Sequence, residues 1–168
     1  MKKIVLSFFL LFLSLNGFGQ NNLDSTVLSP KHFIGLHAGN TTGRGISYRY
    51  WPSKFGFQTT FAFEKRKSYN RLSLDIGLSL LYKLKENEKF GVYAYLGHDI
   101  DYNQHETWGG QPITTIANLQ YNIGIGVGFK ANILKNLDAN IQFGYALLDL
   151  TQNFHSGLAG EIGLYYHF

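Results

Sequence analysis

Arg71-Leu72-Ser73-Leu74-Asp75-Ile76-Gly77-Leu78-Ser79-Leu80-Leu81-Tyr82-Lys83-Leu84 reads with a period of two. All seven even positions are apolar; of the seven odd positions only Leu81 is. A helix would smear that contrast over a period of 3.6, whereas a strand sends alternate side chains to opposite faces. Residues 116–129 repeat the pattern, with Ala117, Leu119, Tyr121, Ile123, Ile125, Val127 and Phe129 opposed to Ile116, Asn118, Gln120, Asn122 and three glycines. Weaker copies occupy 32–38, 44–51, 55–64, 90–100, 137–147 and 157–168. The sequence therefore predicts eight strands holding 87 residues. So high a strand content suits a barrel, and an even count lets the sheet close antiparallel without an edge.

The parity also predicts which face is inside. The apolar face carries eight Phe (55, 57, 61, 63, 90, 129, 143, 168) and six Tyr (48, 50, 82, 121, 145, 166). An eight-stranded interior is barely wide enough for ordinary side-chain filling. A soluble, lipocalin-like barrel would have to bury all fourteen rings there. The opposite parity is small and polar: Gly35, Gly45, Ser47, Gly56, Gly77, Ser79, Gly91, Gly97, Gly124, Gly126, Gly128, Gly144 and Gly163. That face fits a narrow lumen, so the apolar face is expected to meet lipid. The expected fold is all-β, an eight-stranded antiparallel up-and-down transmembrane β-barrel.

Composition agrees. The chain has 168 residues, 45% hydrophobic, 16% aromatic and 15% charged, with 19 Gly and no Cys. Its mean hydropathy of −0.11 is too low for a helical membrane bundle and its charge too sparse for disorder. The missing cysteines exclude disulfides, thiolate metal sites and a cysteine nucleophile. Met1-Lys2-Lys3 followed by an apolar run from Ile4 to Leu15, then Asn16-Gly17-Phe18-Gly19, reads as a secretory signal cleaved near Gly19/Gln20. The twelve-residue run would rise only about 18 Å as a helix, too short to span a bilayer. The expected layout is a signal at 1–19, a polar periplasmic leader at 20–31 and the barrel at 32–168. Loss of Lys2 and Lys3 lowers the net charge from +4 to +2. No basic stripe remains to suggest nucleic acid.

Short turns (52–54, 85–89, 130–136) alternate with mostly longer loops (39–43, 65–70, 101–115, 151–156), the outer-membrane pattern with short turns periplasmic. Tyr50, Trp51, Phe55, Tyr82, Phe90, Phe129, Tyr166 and Phe168 gather at the turn end and read as an interfacial girdle. The chain stops on Leu164-Tyr165-Tyr166-His167-Phe168.

With these features the chain resembles the small eight-stranded outer-membrane β-barrel proteins of the OmpA/OmpX-like, porin-family type. Leu164, Tyr166 and Phe168 resemble the terminal signal that the barrel-assembly machinery reads in that group. Arg49-Tyr50-Trp51-Pro52-Ser53-Lys54-Phe55-Gly56-Phe57 resembles its first periplasmic turn. The resemblance implies an outer-membrane location and partners in outer-membrane lipid and the assembly machinery. It implies architecture rather than activity, since one fold hosts many functions.

The lumen face carries charges of both signs, and buried charges need partners. Glu64 and Arg71 are expected to pair near the outer rim, with Asp75 one pleat deeper. Arg49 and Glu161 are expected to meet across the lumen, and Tyr93 and Tyr95 to lie over Gly124–Gly128. Such a network plugs the interior; a narrow small-solute channel is the alternative. A lipid A-modifying enzyme is a remote third reading, because barrels of this size include lipid A deacylases and palmitoyltransferases. Here His155 and Ser156, with Asp149 nearby, are the candidates, but neighbours on a strand point to opposite faces and form no dyad. No catalytic residue is therefore assigned. His98, Asp99, Asp101, His105 and Glu106 show no repeating ligand spacing, so neither metal nor cofactor is assigned. In the long loop, Tyr102, His105 and Trp108 are the candidate contacts for an extracellular protein or glycan.

Overall fold

The computed structural model describes residues 31–66, 71–107 and 114–168. The proposed signal, most of the leader, and Trp108 lie outside the described residues. Eight strands follow in chain order: β1 (His32–Ala38), β2 (Arg44–Tyr50), β3 (Phe55–Arg66), β4 (Arg71–Glu86), β5 (Phe90–Thr107), β6 (Thr114–Leu134), β7 (Leu137–Leu148) and β8 (His155–His167). Each pairs antiparallel with the next, and β8 returns to β1, with Leu36 opposite Leu164 and Phe33 opposite His167. The barrel is closed and has no helix among the described residues.

The distribution of side chains is inverted relative to a water-soluble domain. Among the described residues 33 large apolar side chains are exposed, whereas eight apolar residues are buried. Ile125, Phe143, Leu158 and Ile162 stand outward while Ser47, Arg49, Gln58 and Asn140 are enclosed. Each such outward Leu, Ile or Phe would forfeit roughly 1.5–3 kcal/mol if left in water. Hydrocarbon around the barrel removes that penalty, and closure pairs the backbone groups that hydrocarbon cannot satisfy.

Two strand bounds depart well from expectation. β5 and β6 run past residues 100 and 116 and pair as far as Thr107 opposite Thr114. Most of the expected long loop 101–115 is thus a hairpin continuing the sheet. Its polar sequence hides the strand, because alternation loses its contrast when both parities carry polar residues. At the other end β6 extends to Leu134, leaving the two-residue turn Lys135-Asn136.

Trp51 is also misplaced by the girdle expectation. It is buried at 4% exposure, inside the turn end. There it joins Phe33, Leu81, Tyr93, Tyr95 and Tyr165 in one cluster. Tyr50, Phe55, Tyr82, Phe90, Phe129, Tyr166 and Phe168 do face outward.

Candidate functional site

The interior is filled in layers. At the turn end the Lys130 ammonium donates to Glu86 Oε1 at 2.5 Å, and Lys83 pairs with the same carboxylate. Asp138 accepts the next contacts, with Lys130 at 4.0 Å and His167 Nδ1 at 3.2 Å. Lys83 also lies 5.2 Å from the Trp51 ring and Lys130 5.6 Å from that of Phe33. These stems and rings cap the lumen, with Glu86 of β4 taking one ammonium from its own strand and one from β6.

The next layer centres on Arg49, which is fully buried. Its Nε and Nη2 donate to Gln58 Oε1 at 3.1 and 2.6 Å. Its guanidinium carbon lies 4.5 Å from the Tyr165 ring centroid, 5.2 Å from Tyr93 and 5.6 Å from Trp51. No ion pair among the described residues includes Arg49. Three aromatic faces, one amide oxygen and the Tyr93 hydroxyl, which accepts from Nη2 at 3.4 Å, stand in for a counter-ion. Tyr93 and Tyr95 do lie over glycines, as expected: a Cβ on Gly128 would sit 2.2 Å from Tyr93, and one on Gly126 2.8 Å from Tyr95.

Above this the loop between β1 and β2 turns into the lumen. Thr41 and Thr42 are completely buried, contrary to the expectation of a loop outside the barrel. They rest where Gly77, Gly97 and Gly124 leave space. A Cβ on Gly77 would fall 2.0 Å from the Thr42 carbonyl oxygen, and one on Gly124 2.5 Å from Thr41. Glu161 holds the loop. It accepts from Thr41 N at 3.0 Å and Thr41 Oγ1 at 2.6 Å, and Thr42 Oγ1 donates to its other oxygen. His37 Nε2 lies 2.6 Å from Thr42 Oγ1 and 3.4 Å from Glu161. Gly43, at φ +79°, supplies the left-handed step that returns the chain to β2.

Arg44 closes the outer layer. Its Nε donates to Asp75 at 2.9 Å and its Nη2 to Asp101 at 2.6 Å. Beyond it the β7–β8 loop is tied by Asp149, at φ +49°. The Asp149 carboxylate accepts from Thr151 Oγ1 at 2.9 Å and from the N–H groups of Gln152 and Asn153 at 3.2 and 3.0 Å. Burial works against its charge, but these donors hold the carboxyl below the ordinary carboxylate range.

The expected lumen pairs are therefore rearranged. Arg49 is level with Phe33, which faces His167, six residues from Glu161 along β8. That is about 20 Å of strand, so the two cannot meet. Glu64 faces Ser73 and takes Arg66 of its own strand, while Arg71 sits opposite Arg66 and donates to Asn103 Oδ1 at 3.4 Å. Asp75 takes Arg44 rather than Arg71. Thr41, Thr42, Phe33 and Tyr165 were not singled out from the sequence. The signal in the sequence is the set of glycines on adjoining strands, Gly97 being opposite Gly124 and Gly77 opposite Asp99. Tyr102 lies on the outward parity of β5, where its hydroxyl donates to Gln104 Oε1 at 3.0 Å. His105 follows it and is opposite Ile116. Leu164, Tyr166 and Phe168 all stand on the outer surface.

No family model matches the chain, and no curated protein sequence does. Several solved structures are similar, three of which follow. Neisserial surface protein A is 17% identical over 82% of this chain and 95% of that one, with a TM-score of 0.45. The N-terminal β-barrel domain of Pseudomonas aeruginosa OprF is 12% identical over 82% and 96%, at 0.49. A major outer membrane protein from Thermus thermophilus is 15% identical over 83% and 100%, also at 0.49. The chain resembles outer-membrane β-barrel proteins. None of these likenesses is close enough to carry a role across.

Proposed function

We propose that the chain is an integral outer-membrane barrel with a plugged lumen, acting through its structure and its outward surface rather than through transport or catalysis. The observation that supports this most is the combination of an apolar exterior with an interior filled by the Thr41-Thr42 loop and, below it, by Arg49 among Tyr93, Tyr165 and Trp51. In this reading residues 1–19 direct export and are removed, the short turns face the periplasm, and the β5–β6 hairpin stands outside. Leu164, Tyr166 and Phe168 are the assembly signal for the barrel-assembly machinery. Tyr102, His105 and Trp108 mark the hairpin as the contact for an extracellular protein or glycan.

Membrane fractionation and gel mobility with and without heating test the location: a protein recovered free in the periplasm overturns it. Planar bilayer recording tests the lumen. The plugged reading expects no unitary steps from pure protein. The alternative, a narrow small-solute channel, requires the Thr41-Thr42 loop to leave its glycine seat, and stable steps from pure protein would favour it.

A further inference from the structure

The exposed cations of the turn end have few acids to answer them. Among the described residues Lys31, Lys54, Lys85, Lys89 and Lys135 are exposed there, and Glu88 is the one exposed acid. None of the five lysines is in an ion pair among the described residues. They are spread round the rim. Lys54 lies in the β2–β3 turn, Lys85 and Lys89 stand at the β4–β5 turn, and Lys135 lies in the β6–β7 turn. Lys31 precedes β1, which closes the barrel against β8.

Each lysine is set against the apolar exterior. Lys54 and Lys89 precede Phe55 and Phe90, and Lys135 follows Leu134, all three exposed. His32, next to Lys31, stacks on Phe168 with ring centroids 5.8 Å apart. Lys85 is turned outward by the backbone. The register of β4 against β5 shifts between Lys83 and Lys85. Lys83 is opposite Tyr93, which is buried in the lumen, whereas Lys85 is opposite Val92, itself opposite the exposed Phe129. Two residues apart on a regular strand they would share a face. The bulge sends one charge to the lumen and the other to the surface.

We propose that this ring of lysines binds phospholipids of net negative charge in the leaflet at the turn end. This rests on the proposed outer-membrane location, in which that leaflet is the periplasmic one. Aromatic rings at the edge of the apolar exterior mark the headgroup level. A lysine there lays its stem on apolar surface and lifts its ammonium to the phosphates. In phosphatidylglycerol the phosphate charge is unbalanced, whereas phosphatidylcholine carries its own cation beside it. The lysines therefore discriminate by net charge. Among the described residues the loop end has no such ring. Lys65, Arg66 and Arg71 share one hairpin there, with Arg66 on Glu64 and Arg71 on Asn103, and Arg44 is engaged by Asp75 and Asp101.

The test is electron spin resonance of the protein reconstituted into phosphatidylcholine bilayers that contain phosphatidylglycerol or phosphatidylcholine spin-labelled on an acyl chain. The motionally restricted fraction gives the relative affinity of each lipid for the barrel surface. Phosphatidylglycerol is expected to be preferred about two- to fivefold at low ionic strength, and less as sodium chloride is raised. Lys54→Gln/Lys85→Gln/Lys135→Gln, one change at each turn, is expected to bring the two lipids near equality. Lys65→Gln/Arg66→Gln/Arg71→Gln removes as many charges at the loop end and is expected to keep most of the preference. Heat-modifiable gel mobility shows whether each variant is folded. If the turn-end triple variant is not, Lys54→Gln and Lys135→Gln, single changes at exposed positions, are each expected to reduce the preference, and no reduction in either overturns the proposal. Equal restriction of the two lipids by the parent also overturns it, as does a preference that survives the turn-end triple change or disappears with the loop-end one. Membrane fractionation tests the location separately: a barrel found in the outer membrane that shows no preference refutes the ring and not the location.

Discussion

Thr41 and Glu161, 120 residues apart, are joined across the lumen by two hydrogen bonds, one from the threonine N–H and one from its hydroxyl. A carboxylate with this many donors is a latch. Glu161→Ala leaves the Thr41 N–H and hydroxyl without their acceptor, each orphan costing about 1–3 kcal/mol, while Thr42 and His37 keep only each other. The expected result is a marked loss of resistance to urea unfolding, and current fluctuations in planar bilayers where the parent has none. Glu161→Gln keeps one acceptor oxygen and should fall between the two.

The seat of the loop can be tested without touching a polar group. At Gly77 an added Cβ meets the Thr42 carbonyl at 2.0 Å, whereas at Gly157 it meets nothing within 4 Å. Gly77→Ala should therefore destabilise by about 1–3 kcal/mol, the usual range for overpacking. Gly157→Ala should lie within about 0.5 kcal/mol of the parent. Denaturant midpoints of the two variants in one detergent make the comparison.

Arg49 offers a contrast with ordinary buried ion pairs. Breaking such a pair typically costs about 3–5 kcal/mol, because a charge is left behind. Among the described residues no carboxylate pairs with Arg49; its partners are Gln58, the Tyr93 hydroxyl and three rings. Arg49→Met keeps much of the stem volume and should cost about 1–2 kcal/mol or less. A loss as large as that of a broken buried pair would show that an acid depends on this guanidinium.

The β7–β8 loop should respond to acid with a defined sign. The Asp149 carboxyl is held below its ordinary value by its loop donors. The stabilisation is therefore full above the unfolded carboxyl range near pH about 4 and is lost as pH falls through the lower folded value. Amide exchange at Gln152 and Asn153 should stay slow from neutral pH down to that range and quicken below it. Asp149→Asn should show fast exchange at every pH.

Legibility followed contrast in the sequence. Where one face met lipid and the other the lumen, as from Leu72 to Leu84, period two was plain and the strand was read correctly. Where both faces carry polar residues, as from Asp101 to Thr107, the same backbone shows no contrast and reads as a loop. Partner choice was less legible still. Parity placed Arg49 and Glu161 on the inner face, but their heights depend on the register around the closed sheet, which parity does not contain. The inward turn at Thr41 is a matter of volume, visible only once Gly77, Gly97 and Gly124 are known to border the same space. Phe33 and Tyr165 are large rings on a face of small residues, and parity alone does not say that they fill the space those residues leave.

Those glycines have a consequence for how such a lumen is closed. Strands bearing large inward residues shut a barrel permanently, since their side chains cannot leave. Strands bearing glycine instead reserve a vacant slot, and here a five-residue segment fills it from one end. Closure is thereby shared: at the loop end a segment of chain held by Glu161 fills the glycine slot, while nearer the turns the wall's own Arg49, Tyr93 and Tyr165 do so. The two seals rest on different bonds, so each is adjustable by substitutions that do not touch the other.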